Sequence, residues 1–328
     1  MESTRSKLIQ VLSINNGNFI SGQEISDMLK ISRSAIWKHM KELEKDGYVI
    51  EAKRNKGYRI IKSPHKVSEN TVQWGLDTKW LGKSIIHKET TSSTQSIAHQ
   101  LAMDNAPHGT VVLADEQTAG KGRLKREWYS AKNKGIWMSI ILRPKILPYQ
   151  APQLTLLTAT VLADVISKEL RLDAKIKWPN DIILKDKKVS GILTEMQAEQ
   201  DQIQYIIIGI GMNVNHDHNE IPDSIQSRAT SLLIESGKVV DITRLIQSIF
   251  VQFEKSYAEY LNQSFSIIKE RWESYGYRLG ERIKLKTFQN EQEVILSGIA
   301  EDGALLAKYE DGSIQKIYSG EIDWFRNL

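Results

Sequence analysis

The sequence contains no cysteine among its 328 residues. This absence excludes disulfide bonds, a catalytic thiolate and a zinc site built on cysteine ligands. No apolar run approaches the roughly 20 residues of a membrane span. The N-terminus leads into an amphipathic segment without the apolar stretch of a signal peptide. We therefore expect a cytoplasmic protein that makes no membrane contact.

Several catalytic and cofactor-binding motifs are absent or incomplete. No Walker A run occurs, and Gly209–Val214 begins like a dinucleotide fingerprint but lacks its third glycine. His216 and His218 lie in a polar stretch without a third ligand at zinc spacing. Ser92–Thr94 has no matching His and Asp pattern. We expect neither a zinc centre nor a serine nucleophile.

Positive charge is concentrated at the N-terminal end of a chain whose formal net charge is only +4. Residues 1–62 hold 12 Lys and Arg against 7 Asp and Glu, whereas the remainder holds 32 against 33. The length suits two or three domains. The charge asymmetry favours a nucleic-acid-binding head on a near-neutral body, although a merely solvated basic face would have the same composition.

Residues 1–62 have the pattern of a winged helix-turn-helix. A capping box of Ser21 and Glu24 begins the second of three predicted helices, and Ser32 caps the third, which ends at Gly47. Two strands joined by a basic turn follow, as in a wing. The predicted apolar faces of the three helices are Leu8, Val11 and Leu12; Ile25, Met28 and Leu29; and Ile36, Met40 and Leu43.

A polar stripe on the third helix is predicted to contact DNA. Ser34, Trp37, Lys38 and Lys41 recur at the spacing of one helix face. Such a face suits the major groove, and a basic wing tip suits phosphates or the minor groove. The alternative is a winged helix that contacts protein, with Trp37 packed on a neighbouring domain. The predicted DNA contacts are Ser32, Arg33, Ser34, Trp37 and Lys38 on the helix, and Arg54 and Lys56 on the wing.

The rest of the chain divides into a linker and two further domains. Residues 63–69 contain a proline that interrupts the pattern and are predicted to be a linker. Residues 70–274 alternate strands and helices, which predicts an α/β domain around a mixed sheet. Residues 275–328 form a third predicted domain. Its four short predicted strands are Arg282–Thr287, Glu293–Ile299, Leu305–Tyr309 and Ile314–Ser319.

Two polar motifs in the central domain are poor material for a core and predict a ligand site. The first, Gly120–Trp128, is a run of cations spaced by glycines. Glycine has no Cβ, so its backbone N–H can approach an anion closely, and the cations add positive charge. In the second, Lys177–Asp181, a proline fixes a turn that holds Lys177 and Asp181 close together.

Lys188 precedes an apolar strand that contains Gly191 and is the third element of this predicted site. Together the three elements favour activation of a carboxylic acid by ATP, because cations would gather around an α-phosphate as its charge develops. Each element also has a plainer explanation on its own. These are a solvated loop, a structural salt bridge between Lys177 and Asp181, and a solvated lysine.

The motifs occur in the order found in biotin–protein ligases, which the chain resembles over essentially its whole length. With its winged helix, the chain is most similar to the bifunctional ligases that also repress the biotin operon. The motifs that carry the resemblance are Ser93-Thr94-Gln95, Asp115-Glu116-Gln117, Gly120-x-Gly122-Arg123-x-x-Arg126-x-Trp128, Lys177–Asp181, Lys188–Gly191 and Gly209-x-Gly211-x-Asn213.

The resemblance implies that biotin and MgATP react to form biotinyl-5′-adenylate, from which biotin passes to a lysine of a biotin carboxyl carrier protein. It implies a homodimer that forms when the adenylate is bound and then binds operator DNA. It also implies a class II synthetase-like fold for the ligase domain and an SH3-like β barrel at the C-terminus. The alternatives are a ligand-sensing repressor on an inactive scaffold, a lipoate-type ligase, and an active ligase that no longer represses.

The resemblance also implies roles for individual residues. Arg123, Lys177, Asp181 and Lys188 would be catalytic, with Asp181 ordering Mg²⁺ or deprotonating the acceptor lysine. The first cation of the loop is Lys121, where the family usually has arginine, so we expect Lys121 to act chiefly through its backbone. The implied biotin contacts are Ser93, Thr94, Gln95, Gln117, Lys121, Gly122, Arg123, Lys188, Gly191 and Gly211. The implied ATP contacts are Arg123, Arg126, Trp128, Lys177, Asn180 and Asn213.

Overall fold

Three helices and a two-stranded hairpin form the N-terminal head. The structure, a computed structural model, describes residues 4–14, 18–45, 47–62, 66–287 and 291–323. The elements of the head are α1 (Thr4–Ile14), α2 (Gly22–Leu29), α3 (Arg33–Lys45), β1 (Val49–Lys53) and β2 (Gly57–Lys62). The predicted end of the first helix at Asn15–Gly17 lies outside the described residues.

The predicted capping box begins α2. Ser21 Oγ accepts a hydrogen bond from the backbone N–H of Glu24 at 3.1 Å, and the Glu24 carboxylate accepts one from the N–H of Ser21 at 2.9 Å. Ser32 Oγ likewise accepts from the N–H of Ala35 at 3.2 Å, so the cap predicted for α3 is also present. These caps fix where the second and third helices start.

The apolar faces of α1 and α3 are buried as predicted, whereas that of α2 is narrower. Ile25 is fully buried and Leu29 is half-buried, but Met28 is 60% exposed. Ile25 and Leu29 lie one helical turn apart, and this single stripe fills the space against α1 and α3. The prediction that Met28 faces inward was therefore wrong.

A seven-stranded mixed sheet lies at the centre of the chain. Its strands are β3 (Ile85–Thr91), β4 (Val111–Gln117), β5 (Gly135–Leu142), β6 (Lys175–Lys177), β7 (Asp181–Leu184), β8 (Lys187–Glu199) and β9 (Gln202–Asn213). Their order is β3-β4-β5-β9-β8-β7-β6. Only β3 and β4 pair in parallel. The predicted mixed sheet is thus confirmed.

Helices cover both faces of this sheet. They are α4 (Glu69–Gln73), α5 (Thr94–Met103), α6 (Ala151–Leu170), α7 (Asp223–Gln226), α8 (Leu232–Ser236), α9 (Ile242–Gln263) and α10 (Ser266–Tyr275). The helices α6 and α9 pack on one face, and α5 packs on the other. All eight residues of β5 are buried as a result, which explains its unbroken apolar sequence.

A five-stranded antiparallel sheet forms the C-terminal part. Its strands are β10 (Arg282–Lys286), β11 (Glu291–Ile299), β12 (Leu305–Lys308), β13 (Ile314–Ile317) and β14 (Glu321–Asp323), in the order β13-β12-β11-β10-β14. The first four match the predicted strands, whereas the three-residue β14 was missed. The apolar side of the sheet joins the central core, and Gln153 on α6 donates to the carbonyl of Glu301 at 2.9 Å.

The connection between head and body is a short segment. Ser68 caps α4, so residue 69 of the predicted linker is already helical, and Ser63–His65 lie outside the described residues. Trp74 packs on Tyr48 of the head, with their ring centroids 5.8 Å apart. No helix in the described part of the chain is both long enough and apolar enough to cross a membrane.

Candidate active site

A cavity of about 820 Å³ opens on the face of the central sheet that carries α5. Its volume falls in the range of small-molecule sites. The structure brings all the predicted biotin, ATP and catalytic residues to this cavity, although they come from separate segments. They are Ser93, Thr94, Gln95, Gln117, Lys121, Gly122, Arg123, Arg126, Trp128, Lys177, Asn180, Asp181, Lys188, Gly191, Gly211 and Asn213. Gly320 and Ile322 add part of the C-terminal sheet to its wall.

One end of the cavity is a chain of hydrogen-bonded polar side chains at the start of α5, of which Thr94, Gln95 and Ser139 are buried. Gln117 accepts a hydrogen bond from the N–H of Thr94 at 2.8 Å, and the hydroxyls of Thr94 and Ser139 lie 2.9 Å apart. Ser139 donates to Gln95 Oε1 at 3.0 Å, and Gln95 Nε2 donates to Glu195 at 2.9 Å. Sequence reasoning missed Ser139 and Glu195, since both lie on apolar strands far along the chain.

Two glycines form the floor in the middle of the cavity. Gly191 on β8 pairs directly with Gly211 on β9, and Trp128 lies over both. A Cβ at position 211 would lie 2.4 Å from Trp128 Nε1, and one at position 191 would lie 3.1 Å from the same indole ring. Position 211 therefore requires glycine for this contact, and position 191 leaves little room for a larger side chain.

An ion pair stands beside this floor. Lys188 Nζ lies 2.7 Å from Asp181 Oδ1, and the ammonium is also 5.1 Å from the centre of the Trp128 ring. The register places Lys177 opposite Asp181, so the proline turn holds them close as predicted. The carboxylate of Asp181 pairs with Lys188. Sequence reasoning missed this pairing of Asp181 with Lys188.

The two motifs of the predicted site are in direct contact. Arg123 lies in a short 3₁₀ turn, and its Nη1 donates to Asn180 Oδ1 at 3.2 Å. Asn180 is itself anchored to β8, because its Nδ2 donates to the carbonyl of Ile192 at 2.8 Å. Lys121 is exposed and joins its loop through a backbone bridge to Glu127. The arginine thus reaches the site through its side chain, whereas the lysine holds the loop together.

The far end of the cavity lies beyond the last residue of β9. Asn213 is buried and its Nδ2 donates to the carbonyl of Thr230 at 3.0 Å. His216 also lines this end and is only 1% exposed. Burial lowers the pKa of His216 to about 4, so the imidazole is neutral at neutral pH. The polar residues around His216 in the sequence give no sign of this burial.

The head carries a second candidate site on α3 and the wing. Ser32, Ser34 and Lys38 are exposed, and the Trp37 side chain is 56% exposed. The alternative in which Trp37 packs on a neighbouring domain therefore does not hold within the described part of the chain. The remaining predicted DNA contacts are also exposed and are Arg33 on α3 and Arg54 and Lys56 at the turn between β1 and β2.

Comparison with known proteins identifies the family. The model of the biotin/lipoate A/B protein ligase family matches residues 88–213, that of an HTH domain matches residues 4–59, and that of the biotin protein ligase C-terminal domain matches residues 279–324. The bifunctional ligase/repressor BirA of Bacillus subtilis is 47% identical over 98% of this chain and 99% of its own length. The chain belongs to the BirA family.

Other members of the BirA family and its structural relatives agree with this assignment. BirA of Escherichia coli is 28% identical over 96% of this chain and 95% of its own length. The biotin protein ligase from Aquifex aeolicus, solved in complex with biotin and ATP, is 34% identical with a TM-score of 0.65. That match covers 74% of this chain and 98% of the other. The BirA family combines a ligase and a repressor in one chain, which confirms the resemblance seen in the sequence.

Proposed function

We propose that this BirA-family protein activates biotin with MgATP and transfers it to a lysine of a biotin carboxyl carrier protein. The observation that carries this proposal is the layout of the cavity along β9. The buried polar end lies at Gly209, the glycine floor with the Lys188–Asp181 pair lies at Gly211, and Asn213 lies at the far end. At about 3.3 Å per strand residue, these three positions span roughly 13 Å, which suits an elongated ligand with two different ends.

In the first step, a carboxylate oxygen of biotin attacks the α-phosphorus of ATP and pyrophosphate leaves. The hydroxyl and amide groups around Thr94 and Gln117 would hold the ureido ring, which has both donors and acceptors. Lys188 would hold the carboxylate at the middle of the cavity, and Arg123 would balance the charge that develops on the phosphate. Two anions meet in this step, so positive charge at the meeting point lowers the barrier.

Mg²⁺ would enter with the nucleotide. The described residues include no cluster of three His, Asp or Glu side chains that could hold a resident metal ion. Mg²⁺ commonly uses one or two carboxylates together with substrate phosphates, and Asp181 suits that arrangement. Its pairing with Lys188 also orients the lysine. We infer that Asp181 serves the first step in both ways and takes a proton from the acceptor lysine in the second.

In the second step, the amine of the carrier lysine attacks the carbonyl carbon of the adenylate and AMP leaves. The covalent bond between biotin's carboxyl group and the phosphate of AMP makes that carbonyl carbon reactive toward an amine. The site therefore mainly has to position the carbonyl group and exclude water. The C-terminal sheet contributes Gly320 and Ile322 to the wall through which the carrier would approach. We infer that this sheet is part of an SH3-like barrel and that the ligase domain is class II synthetase-like.

The proposal is tested by intact-mass analysis of an apo carrier domain after incubation with this protein, biotin and MgATP. One biotin adduct that requires ATP is expected. A Lys188→Gln variant serves as the matched control, since it keeps the size of the side chain and loses the cation. No adduct, with biotin still bound in calorimetry, would favour a sensor on an inactive scaffold. In a parallel incubation with lipoate in place of biotin, an adduct formed only with lipoate would favour the lipoate-type alternative.

We further infer that the head binds operator DNA when the adenylate-bound protein dimerises. The exposed Trp37 and its cationic neighbours on α3 support DNA contact. The outer half of β8, residues 193–199, pairs with β9 only and has no second partner strand among the described residues. An open edge of this kind can pair with a second copy of the chain. Gel shift with and without biotin and ATP, together with sedimentation, tests both inferences.

A further inference from the structure

Lys188 lies at an irregular point of the central sheet and takes its backbone support from a segment outside that sheet. The register between β7 and β8 is shifted close to Lys188, and β8 pairs with β9 only from Ser190 onward. Residues 228–230 lie alongside instead. The N–H of Lys188 donates to the carbonyl of Arg228 at 2.9 Å, and the N–H of Thr230 donates to the carbonyl of Lys188 at 2.9 Å. These two bonds fix the backbone from which the lysine side chain extends.

Thr230 is fixed in turn by a largely buried carboxylate. Thr230 is 1% exposed, and its hydroxyl donates to Glu235 Oε1 at 2.6 Å. The side chain of Glu235, on α8, is only 7% exposed. Its other oxygen lies 3.1 Å from Nζ of Lys185, in the turn between β7 and β8. Glu235 therefore joins α8 to both segments that flank Lys188, the turn before it and residues 228–230 beside it.

The two partners of Glu235 contribute unequally. The Lys185 side chain is 77% exposed, so water screens its attraction for the carboxylate, and exposed ion pairs contribute little. The Thr230 hydroxyl is buried, and a hydrogen bond to a charged group is stronger than one between neutral groups. Removal of either group would leave the other buried without this partner, which is costly. The bond between Thr230 and Glu235 is therefore the one that anchors residues 228–230.

We propose that Glu235 is a positioning residue for Lys188 and acts through Thr230. This inference rests on the proposed function, because it takes Lys188 as the group that holds the carboxylate of biotin. Neither Glu235 nor Thr230 lines the cavity, so their effect on a ligand has to pass through a neighbour. Without the carboxylate of Glu235, residues 228–230 lose their buried anchor. The ammonium of Lys188 is then no longer fixed at the middle of the cavity beside Asp181.

The test measures how the full-length protein binds two probes in calorimetry, without nucleotide. The probes are biotin and biotinol, in which an uncharged alcohol replaces the carboxylate. Lys188 attracts the carboxylate more strongly, so the ratio of the two dissociation constants reports the contribution of Lys188. The rings of the probes are identical, so a general loss of packing weakens both equally. Nucleotide is omitted because the Thr230 carbonyl also accepts from Asn213 at the far end of the cavity.

Four variants separate the route through Thr230 from other effects. Glu235→Ala removes the carboxylate, and Thr230→Val removes the hydroxyl while keeping the shape of the side chain. Glu235→Gln keeps an oxygen that can accept from Thr230 and should rescue the effect. Lys185→Ala is the matched control, because it removes the exposed partner of the same carboxylate. Thermal melting shows whether each variant is folded, and Thr230→Val decides the test if Glu235→Ala is not.

We expect the wild-type protein to bind biotin about tenfold more tightly than biotinol. Glu235→Ala and Thr230→Val should reduce that ratio to about threefold or less, with the dissociation constant of biotinol nearly unchanged. Glu235→Gln and Lys185→Ala should retain the ratio of the wild-type protein. The effect thus appears only with the probe that carries the carboxylate.

Three results would overturn the inference while leaving the ligase intact. They are an unchanged ratio in Thr230→Val, an equal loss of affinity for both probes, and a ratio lowered as far by Lys185→Ala as by Glu235→Ala. The last would show that the carboxylate acts through the turn. Equal affinity of the wild-type protein for biotin and biotinol would overturn the role of Lys188 and this inference with it. Absence of biotin binding by the wild-type protein would instead overturn the proposed function.

Discussion

Glu195 provides a sharp test of the polar end of the cavity. Its carboxylate accepts from Gln95 Nε2 at 2.9 Å, and the same oxygen lies 3.1 Å from His99 Nε2. Gln95 is buried, and its Oε1 accepts from Ser139. Glu195 thus fixes which way round the Gln95 amide lies. Glu195→Ala would leave a buried amide donor unpaired beside the place where we expect the biotin ring.

The free energy lost in Glu195→Ala depends on how exposed the hydrogen bond between Gln95 and Glu195 is. A hydrogen bond to a charged group is worth about 1.5–3 kcal/mol when buried. The Glu195 side chain is 46% exposed, so water can replace part of the interaction, and about 1 kcal/mol remains. We therefore expect Glu195→Ala to raise the KM for biotin roughly fivefold. The KM for ATP should not change, because we place the base at the other end of the cavity.

The assay is pyrophosphate exchange with biotin and ATP varied in turn. Glu195→Gln keeps a carbonyl that can accept from Gln95 and should behave nearly as the wild type. His99→Ala removes the other partner of Glu195 without touching Gln95, so its KM for biotin should not change. An unchanged KM for biotin in Glu195→Ala, or an equal rise in His99→Ala, would show that Glu195 does not orient the Gln95 amide for biotin.

Three further predictions concern the loop, the fold and the head. Arg123→Ala should reduce kcat/KM for adenylation at least tenfold more than Lys121→Ala, because Arg123 reaches Asn180 whereas Lys121 is exposed; equal losses would contradict this. Burial alone would raise the pKa of Glu254, but backbone N–H groups of residues 79–81 lower it below its usual value. Its stabilising effect is therefore present at neutral pH and lost as the pH falls through the lowered pKa. Glu254→Gln should reduce stability by about 1–2 kcal/mol at pH 7, and thermal melting should show the difference shrinking below about pH 4. Trp37→Ala should weaken operator binding in a gel shift at least tenfold without changing exchange, and unchanged DNA binding would favour the protein-contact alternative.

Local signals were the ones that could be predicted from the sequence. The capping box of Ser21 and Glu24 and the outward face of α3 depend on residues within two helical turns, and the structure has both. The motifs that line the cavity were also found, since glycines and cations at fixed spacing are rare in a core. The prediction for Met28 was wrong because the width of a buried stripe depends on the neighbouring helices, which a periodic pattern does not specify.

Contacts between distant strands could not be predicted. Ser139 and Glu195 join the polar end of the cavity only because β5, β9 and β8 are neighbours, and nothing near either residue in the sequence signals it. His216 is the clearest case. It is surrounded in the sequence by polar residues, yet the fold buries it against Trp137. Burial of a single polar residue in a loop is set by tertiary packing, for which the local sequence carries no period.

The position of Lys188 has a specific structural cause. Side chains alternate along a strand, so residues 188 and 191, three apart, should lie on opposite faces of the sheet. Lys188 nevertheless lies next to Gly191 and pairs with Asp181, which is opposite Gly191 in the register. The register between β7 and β8 shifts between Ile182 and Ile183, so β8 carries one extra residue there. Such a bulge redirects a side chain. It therefore brings the lysine to the cavity face, and the chemistry proposed for this site depends on that irregularity.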